Sequence, residues 1–138
     1  MSKFSQSSQT RLDTCNYEIR HIMNTAIISS PIDFGIPAYG GKRSQSEQYQ
    51  LFLDGESKCD GVSKLSKHQS GDAVDIIAYV PSVGGYTYER DYYLMLAGHI
   101  LATAKRLGYE FRWGGDWDSD NDLKDQTFND LCHFELVR

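Results

Sequence analysis

Two short stretches hold the side chains best suited to chemistry. Ser66 to Asp75, SKHQSGDAVD, offers an imidazole at His68 and a carboxylate at Asp75. Asp130 to Glu135, DLCHFE, offers a second imidazole at His133, with one acid before it and another after it. Two histidines and one carboxylate form a ligand set for a catalytic zinc ion. Structural zinc sites close with four protein ligands, whereas catalytic ones use three and leave a position open to water. The acid left over, Asp130, is then a candidate general base for that water.

The elements that must position these groups can be read from local pattern. Gly71 permits a sharp turn after His68, because glycine takes positive φ without a Cβ penalty. The run from Ala73 to Tyr79 predicts a strand entering the core. Alternation puts Ala73 and Asp75 on one face, and the small alanine leaves room for a metal. The run from Cys132 to Val137 predicts a second strand, with His133 and Glu135 on one face and Phe134 and Leu136 on the other. Two neighbouring strands would bring His68, Asp75 and His133 to one point.

These residues carry a resemblance. The pattern S-x-H-x-x-G-x-A-x-D, followed late in the chain by D-x-x-H-x-E, resembles the zinc peptidases that cut peptidoglycan stem peptides. That family comprises D-alanyl-D-alanine carboxypeptidases and dipeptidases, and L-alanyl-D-glutamate endopeptidases. The segment GGKRSQSEQ is similar to the family's G-x-R-[ST]-x-x-x-Q, with Arg43 and Gln48 at the matching positions. The segment RWGGDW, Arg112 to Trp117, is similar to the family's W-G-G-D-W. The order of these segments also agrees, over roughly residues 30–137.

The resemblance implies roles. His68, Asp75 and His133 are the zinc ligands, and Asp130 is the general base. Many relatives carry Glu at that position, so the shorter Asp must reach the water with one fewer methylene. Glu135 is the rival base, and a role in orienting a ligand is preferred for it. Arg43 is an electrophilic clamp on the scissile carbonyl or on a substrate carboxylate. Gln48 either binds substrate or packs. Ser66 orients substrate or braces its loop, and Asp116 and Trp117 shape the pocket.

Composition limits the alternatives. The chain has 138 residues, enough for one domain, and 40% are hydrophobic, so it is not disordered by composition. A formal net charge of −5 argues against a nucleic-acid protein. It also gives no general attraction to anionic wall polymers, so substrate capture must rest on local groups. Three cysteines, Cys15, Cys59 and Cys132, form no disulfide framework and fit a reducing compartment. Cys132 adjoins His133, but adjacent strand residues face opposite ways, which sends its thiol to the core. There is no signal-peptide run and no segment of membrane-spanning length.

Along the chain, residues 1–8 are expected to fray. Thr10 to Ile28 predicts one helix with Ile19, Ile22, Met23, Ala26 and Ile27 as its stripe. His21 lies off that stripe and is expected in solvent. A strand is expected over Phe34 to Ile36. Ser44 and Glu47 form a capping-box pattern that opens a helix running to about Leu53. Asp54 to Lys67 is a long polar loop, placed to line a cleft. Arg90 to Leu107 predicts a helix, with Gly108 as its C-cap, and Tyr109 to Trp113 a strand. Asp116 to Asn129 is an acidic loop. Its Asp116, Asp118, Asp120 and Asp122 read as solvated carboxylates, with a calcium site as the rival reading; the EF-hand spacing is not met.

The expected fold is a single α+β domain: a small antiparallel sheet carrying a zinc site, packed with two or three helices. No separate cell-wall-binding domain is expected. The resemblance implies hydrolysis of a stem-peptide bond of bacterial peptidoglycan. The compact L-alanyl-D-glutamate endopeptidases that serve as phage endolysins are the nearest type. That type implies a monomer held in the host cytoplasm and delivered to the wall by a holin-like protein. The alternatives are a D-alanyl-D-alanine carboxypeptidase or dipeptidase, and a non-catalytic zinc-containing module that binds wall peptide.

Overall fold

A computed structural model describes residues 2–120, 122 and 130–138. The fold is α+β, and among these residues it has five α-helices and two small antiparallel sheets rather than one sheet with two or three helices. The helices are α1 (Gln6–Leu12), α2 (Tyr17–Ala26), α3 (Gln45–Leu53), α4 (Lys67–Ser70) and α5 (Arg90–Leu107). The strands are β1 (Asp33–Gly35), β2 (Ala73–Asp75), β3 (Ile77–Val80), β4 (Gly85–Thr87), β5 (Phe111–Gly114) and β6 (Asp130–Leu136). One sheet has the order β1-β3-β4 and the other β2-β6-β5.

The strand expected from Ala73 to Tyr79 is therefore two strands in two sheets. Asp75 and Ile77 pair with different partners, and the Ile76 amide between them donates to the Cys132 carbonyl at 2.9 Å. Ile76 itself is fully buried. The largely apolar run around Ile76 carries no turn residue that would mark such a switch.

The amino terminus departs from expectation as well. Residues 1–8 are not a frayed tail over their described part. Phe4 is buried edge-on against Phe34, with ring centroids 5.4 Å apart. Ser5 caps α1 by accepting from the Ser8 amide, and the Ser8 hydroxyl accepts from the Ile36 amide. Polar composition suggested fraying, but these serines satisfy backbone groups. The single helix expected over Thr10 to Ile28 is α1 and α2, broken at 13–16, where Asn16 takes extended backbone before α2.

Other elements match their local signals. α3 starts on a complete Ser44–Glu47 capping box. α5 ends on Gly108 at φ 89°, a left-handed cap that suits glycine. The α2 stripe of Ile19, Ile22, Met23 and Ala26 packs with Tyr93, Leu96, Ala97 and Ile100 of α5 in one core. Phe134 and Leu136 add β6 to that core, which leaves the opposite face of β6 free for His133 and Glu135.

Candidate metal centre

The site is built where β6 runs between β2 and β5. Asp75 lies directly opposite His133 in the β2–β6 ladder, and Ala73 lies opposite Glu135. His68 comes from α4, whose start is fixed by a Ser66–Gln69 capping box. Gly71, at φ 81°, turns the chain from α4 into β2. The short helix was not expected, since Gly71 suggested only a turn. Yet it is what aims His68 back at the strand pair.

Three ligand atoms converge. His68 Nε2 lies 3.2 Å from Asp75 Oδ1 and 3.3 Å from His133 Nδ1. His133 Nδ1 lies 3.2 Å from the same Asp75 oxygen. The outer bonds fix which nitrogens face inward. His68 Nδ1 is 2.9 Å from the Gly41 carbonyl, which only accepts, so that nitrogen carries the proton. His133 Nε2 is 2.8 Å from Glu135 Oε1, which fixes its proton in the same way. The nitrogens left facing each other are therefore two lone pairs beside a carboxylate, an arrangement that calls for a cation. This donor set of two imidazoles and one carboxylate suits a metal ion, and all three residues are buried or nearly so.

Burial works against charge on Asp75, but positive charge and N–H donation from His68 and His133 outweigh it and hold the carboxyl far below the usual range; a cation among the three groups would take the place of a proton shared between them. Burial also opposes charge on Glu135, but bonds from His133 and Arg112 bring its pKa down to about 2. Glu135 is thus an anchored anion, held by Arg112 at 2.8 Å and Lys67 at 3.3 Å. Its bond to His133 is the ligand-orienting contact expected of it.

The remaining candidates fall into distinct places. A cleft of about 660 Å³ opens over the three ligands and is lined also by Asp130, Trp117, Ser66 and Arg43. Asp130 is half-buried; burial, and then the negative charge of Asp75, push its carboxyl up. The Trp117 ring lies 5.4 Å from that of His133. Arg43 donates to the Tyr39 carbonyl, to Gln48 and to Asp75 Oδ2, so it braces a ligand.

Some placements correct the reading of the sequence. Gln48 is fully buried and bonds Arg43, Ser57 and the Cys59 carbonyl, so it packs beneath the cleft rather than facing substrate. Asp116 is buried and groups with Asp118 and Asp120, their ligand atoms within 4.8 Å of one another, and does not line the cleft. Asp122 is outside that group, and the rest of the acidic loop, at 121 and 123–129, is outside the described residues. Cys132 borders the core, as expected, but its thiol donates to Asp130 Oδ1 at 3.2 Å, on the cleft side. All three cysteines are free thiols. His21 is not simply solvated: its Nδ1 meets the Tyr109 hydroxyl at 2.9 Å. His99 Nε2 meets the Ala26 carbonyl, and His99 does not line the cleft over the candidate ligands. Sequence reasoning missed the Gly41 carbonyl and the Arg112 and Lys67 cations. A backbone acceptor leaves no trace in residue type. Arg112 was legible in principle, since it sits opposite Glu135 in the β5–β6 register.

The family model described as phage L-alanyl-D-glutamate peptidase matches residues 1–137. The chain belongs to that family. It is 30% identical over 138 residues to the L-alanyl-D-glutamate peptidase of Escherichia phage T5, covering 98% of each chain. Among solved structures it is similar to the L-Ala D-Glu endopeptidase ChiX of Serratia marcescens. The TM-score is 0.78 at 26% identity, over 99% of this chain and 91% of that one. Among the described residues no helix is long and apolar enough to cross a membrane.

Proposed function

We infer that the protein is a peptidoglycan endopeptidase of the phage endolysin type, which hydrolyses the L-alanyl-D-glutamate bond with a zinc ion held by His68, Asp75 and His133. The observation that carries this reading is the pair of tautomer-fixed imidazole nitrogens, 3.3 Å apart beside one carboxylate, at the floor of a cleft that also holds an acid. Family membership supports the bond that is cut.

Zinc at these ligands would supply Lewis acidity, polarising a carbonyl and making water more acidic. The chain does the rest. Asp130 takes the proton of the attacking water and passes it to the leaving amine of D-glutamate. Its upward-shifted pKa suits a group that must both accept and release a proton. The Cys132 thiol on Oδ1 fixes the carboxylate and leaves Oδ2 for that transfer. Arg43 has five N–H donors, of which three are engaged within the protein, so two can meet the substrate carbonyl. Ser66 sets α4, and with it His68, while Trp117 covers the His133 side. In this reading the protein acts as a monomer. It waits in the host cytoplasm and reaches the wall through a lesion made by a holin-like protein.

The test is digestion of purified peptidoglycan by the zinc-loaded protein, with mass spectrometry of the soluble products. New N-terminal D-glutamate, with L-alanine left on the glycan, is expected. Release of D-alanine would move the activity to the carboxypeptidase branch. No product from a folded, zinc-loaded protein would leave only a binding module. An Asp130→Ala variant that keeps zinc and loses cleavage separates catalysis from binding.

A further inference from the structure

One wall of the cleft differs in charge from the rest of the molecule. The chain carries a net charge of −5. Yet the loop between α3 and α4 brings Lys58 and Lys64 to the cleft, joined by Lys67 at the start of α4, against a single acid on that wall, Glu56. Lys67 is engaged internally, since its ammonium meets the Leu136 carbonyl at 2.6 Å and Glu135 at 3.3 Å. Lys64 is exposed, and its side chain enters no ion pair among the described residues.

The turn that carries Lys64 is built to hold still. Asp60 Oδ1 accepts from the amides of Val62, Ser63 and Lys64, each at 2.9 Å, and Oδ2 accepts from the Ser63 hydroxyl at 2.5 Å. The Gly61 amide closes the turn on the Lys64 carbonyl at 3.0 Å. The turn is tied to the metal side of the cleft by Gln69, the neighbour of His68, which donates to the Gly61 carbonyl at 3.0 Å. Gly61 itself takes φ 81° and sits so close to Gln48 that an added Cβ would lie 3.1 Å from its side chain. These bonds hold the Lys64 backbone at the cleft wall, so an anion bound there leaves only the lysine side chain to be ordered.

Glutamate supplies such an anion. The scissile bond uses its nitrogen, and a continuing peptide uses one of its two carboxyl groups. The other stays ionised, within one residue of the bond being cut. We propose that Lys64, supported by Lys58 on the same loop, is a specificity-determining clamp for the free carboxylate of the D-glutamyl residue, so that the enzyme discriminates against stem peptides in which that carboxyl is a primary amide. The proposal rests on the endopeptidase reading above.

The experiment compares kcat/KM for two synthetic L-alanyl-D-glutamyl peptides, one with the free carboxylate and one with that carboxyl as the amide, using the zinc-loaded full chain. The wild type should prefer the acid by about threefold to tenfold, between a solvated surface pair and a charge-assisted hydrogen bond. Lys64→Gln should bring the ratio close to one through a higher KM for the acid, and added salt should do the same. Lys64→Arg should restore the preference, which a purely structural role of the lysine would not do. The clamp is overturned if the wild type cuts both peptides equally. It is also overturned if the ratio survives in both Lys64→Gln and the Lys58→Gln/Lys64→Gln double variant. If neither peptide is cut by folded, zinc-loaded protein, the endopeptidase reading itself falls, and the clamp with it.

Discussion

Glu135 touches no candidate ligand atom, yet the geometry makes metal affinity depend on it. Its Oε1 accepts a hydrogen bond from His133 Nε2 at 2.8 Å and so keeps the proton on Nε2 and Nδ1 as a lone pair. Glu135→Gln keeps the shape but removes the charge, and can present either end of the amide to the ring. A hydrogen bond to a charged partner contributes about 1.5–3 kcal/mol. Glu135 is buried, with 8% of its surface exposed, so solvent screens little of this. At about 1.4 kcal/mol per factor of ten, zinc affinity should fall by roughly 10- to 150-fold, in line with the general effect of losing a ligand-orienting partner. The assay is competition for zinc with a chromophoric chelator at neutral pH, alongside thermal unfolding of the metal-free forms. Wild-type affinity in a folded Glu135→Gln protein would refute the argument that this bond sets the tautomer.

Other predictions follow from the same contacts. Chelation should lower the unfolding temperature: at zinc a hundredfold above its dissociation constant the bound ion adds about 2.7 kcal/mol, or roughly 5–10 °C for a chain of this size, read by calorimetry with and without chelator. Gly114→Ala should cost cleavage more than zinc binding, because the added Cβ would lie 2.0 Å from the Asp130 carbonyl and displace the base rather than the ligands; zinc titration and peptide cleavage of the same sample check this. Burial pushes the Cys15 thiol up to about 12, so at pH 8 iodoacetamide should label half-buried Cys59 first and Cys15 only on unfolding, read by peptide mapping. The Asp60 carboxyl is held well below its usual range, mainly by the Lys64 amide and the Ser63 hydroxyl. A depressed folded value means its support for the turn is complete above the unfolded carboxyl range and fades only as pH falls through the lower folded value. Amide exchange at Val62, Ser63 and Lys64 should therefore stay protected at pH 4 and lose protection in Asp60→Asn.

Much of the metal centre was legible, because it depends on residue type and on local turns. His68, Gly71, Asp75, His133 and Glu135 stand in the sequence in an order that strand alternation can bring together, and the register bears this out. The long helix before Gly108 and the capping box at Ser44 were equally plain, since each end carries its own chemistry. What could not be read was long-range. Nothing in the apolar run through Ile76 says that the chain changes sheets there. The polar residues before Leu12 looked like a loose tail because the amide that Ser8 satisfies is 28 residues away. Gln48 matched a binding motif, but its burial beneath the Ser57–Cys59 loop is set by tertiary packing. Cys132 obeys alternation only roughly, because the β5–β6 register shifts after Trp113, next to where Asp130 joins the sheet.

The strand order β2-β6-β5 gives the molecule an internal safeguard. β2 and β5 are not neighbours; among the described residues each pairs with β6, which comes after both in sequence. His68 and Asp75 are close in sequence, whereas the third candidate ligand, His133, and the proposed base, Asp130, both stand on the strand that joins the other two. Such non-local pairing is a slow event in folding. On the reading proposed above, a chain caught before that pairing lacks His133 of the donor set and Asp130 as base, so the onset of hydrolysis would await completion of this sheet.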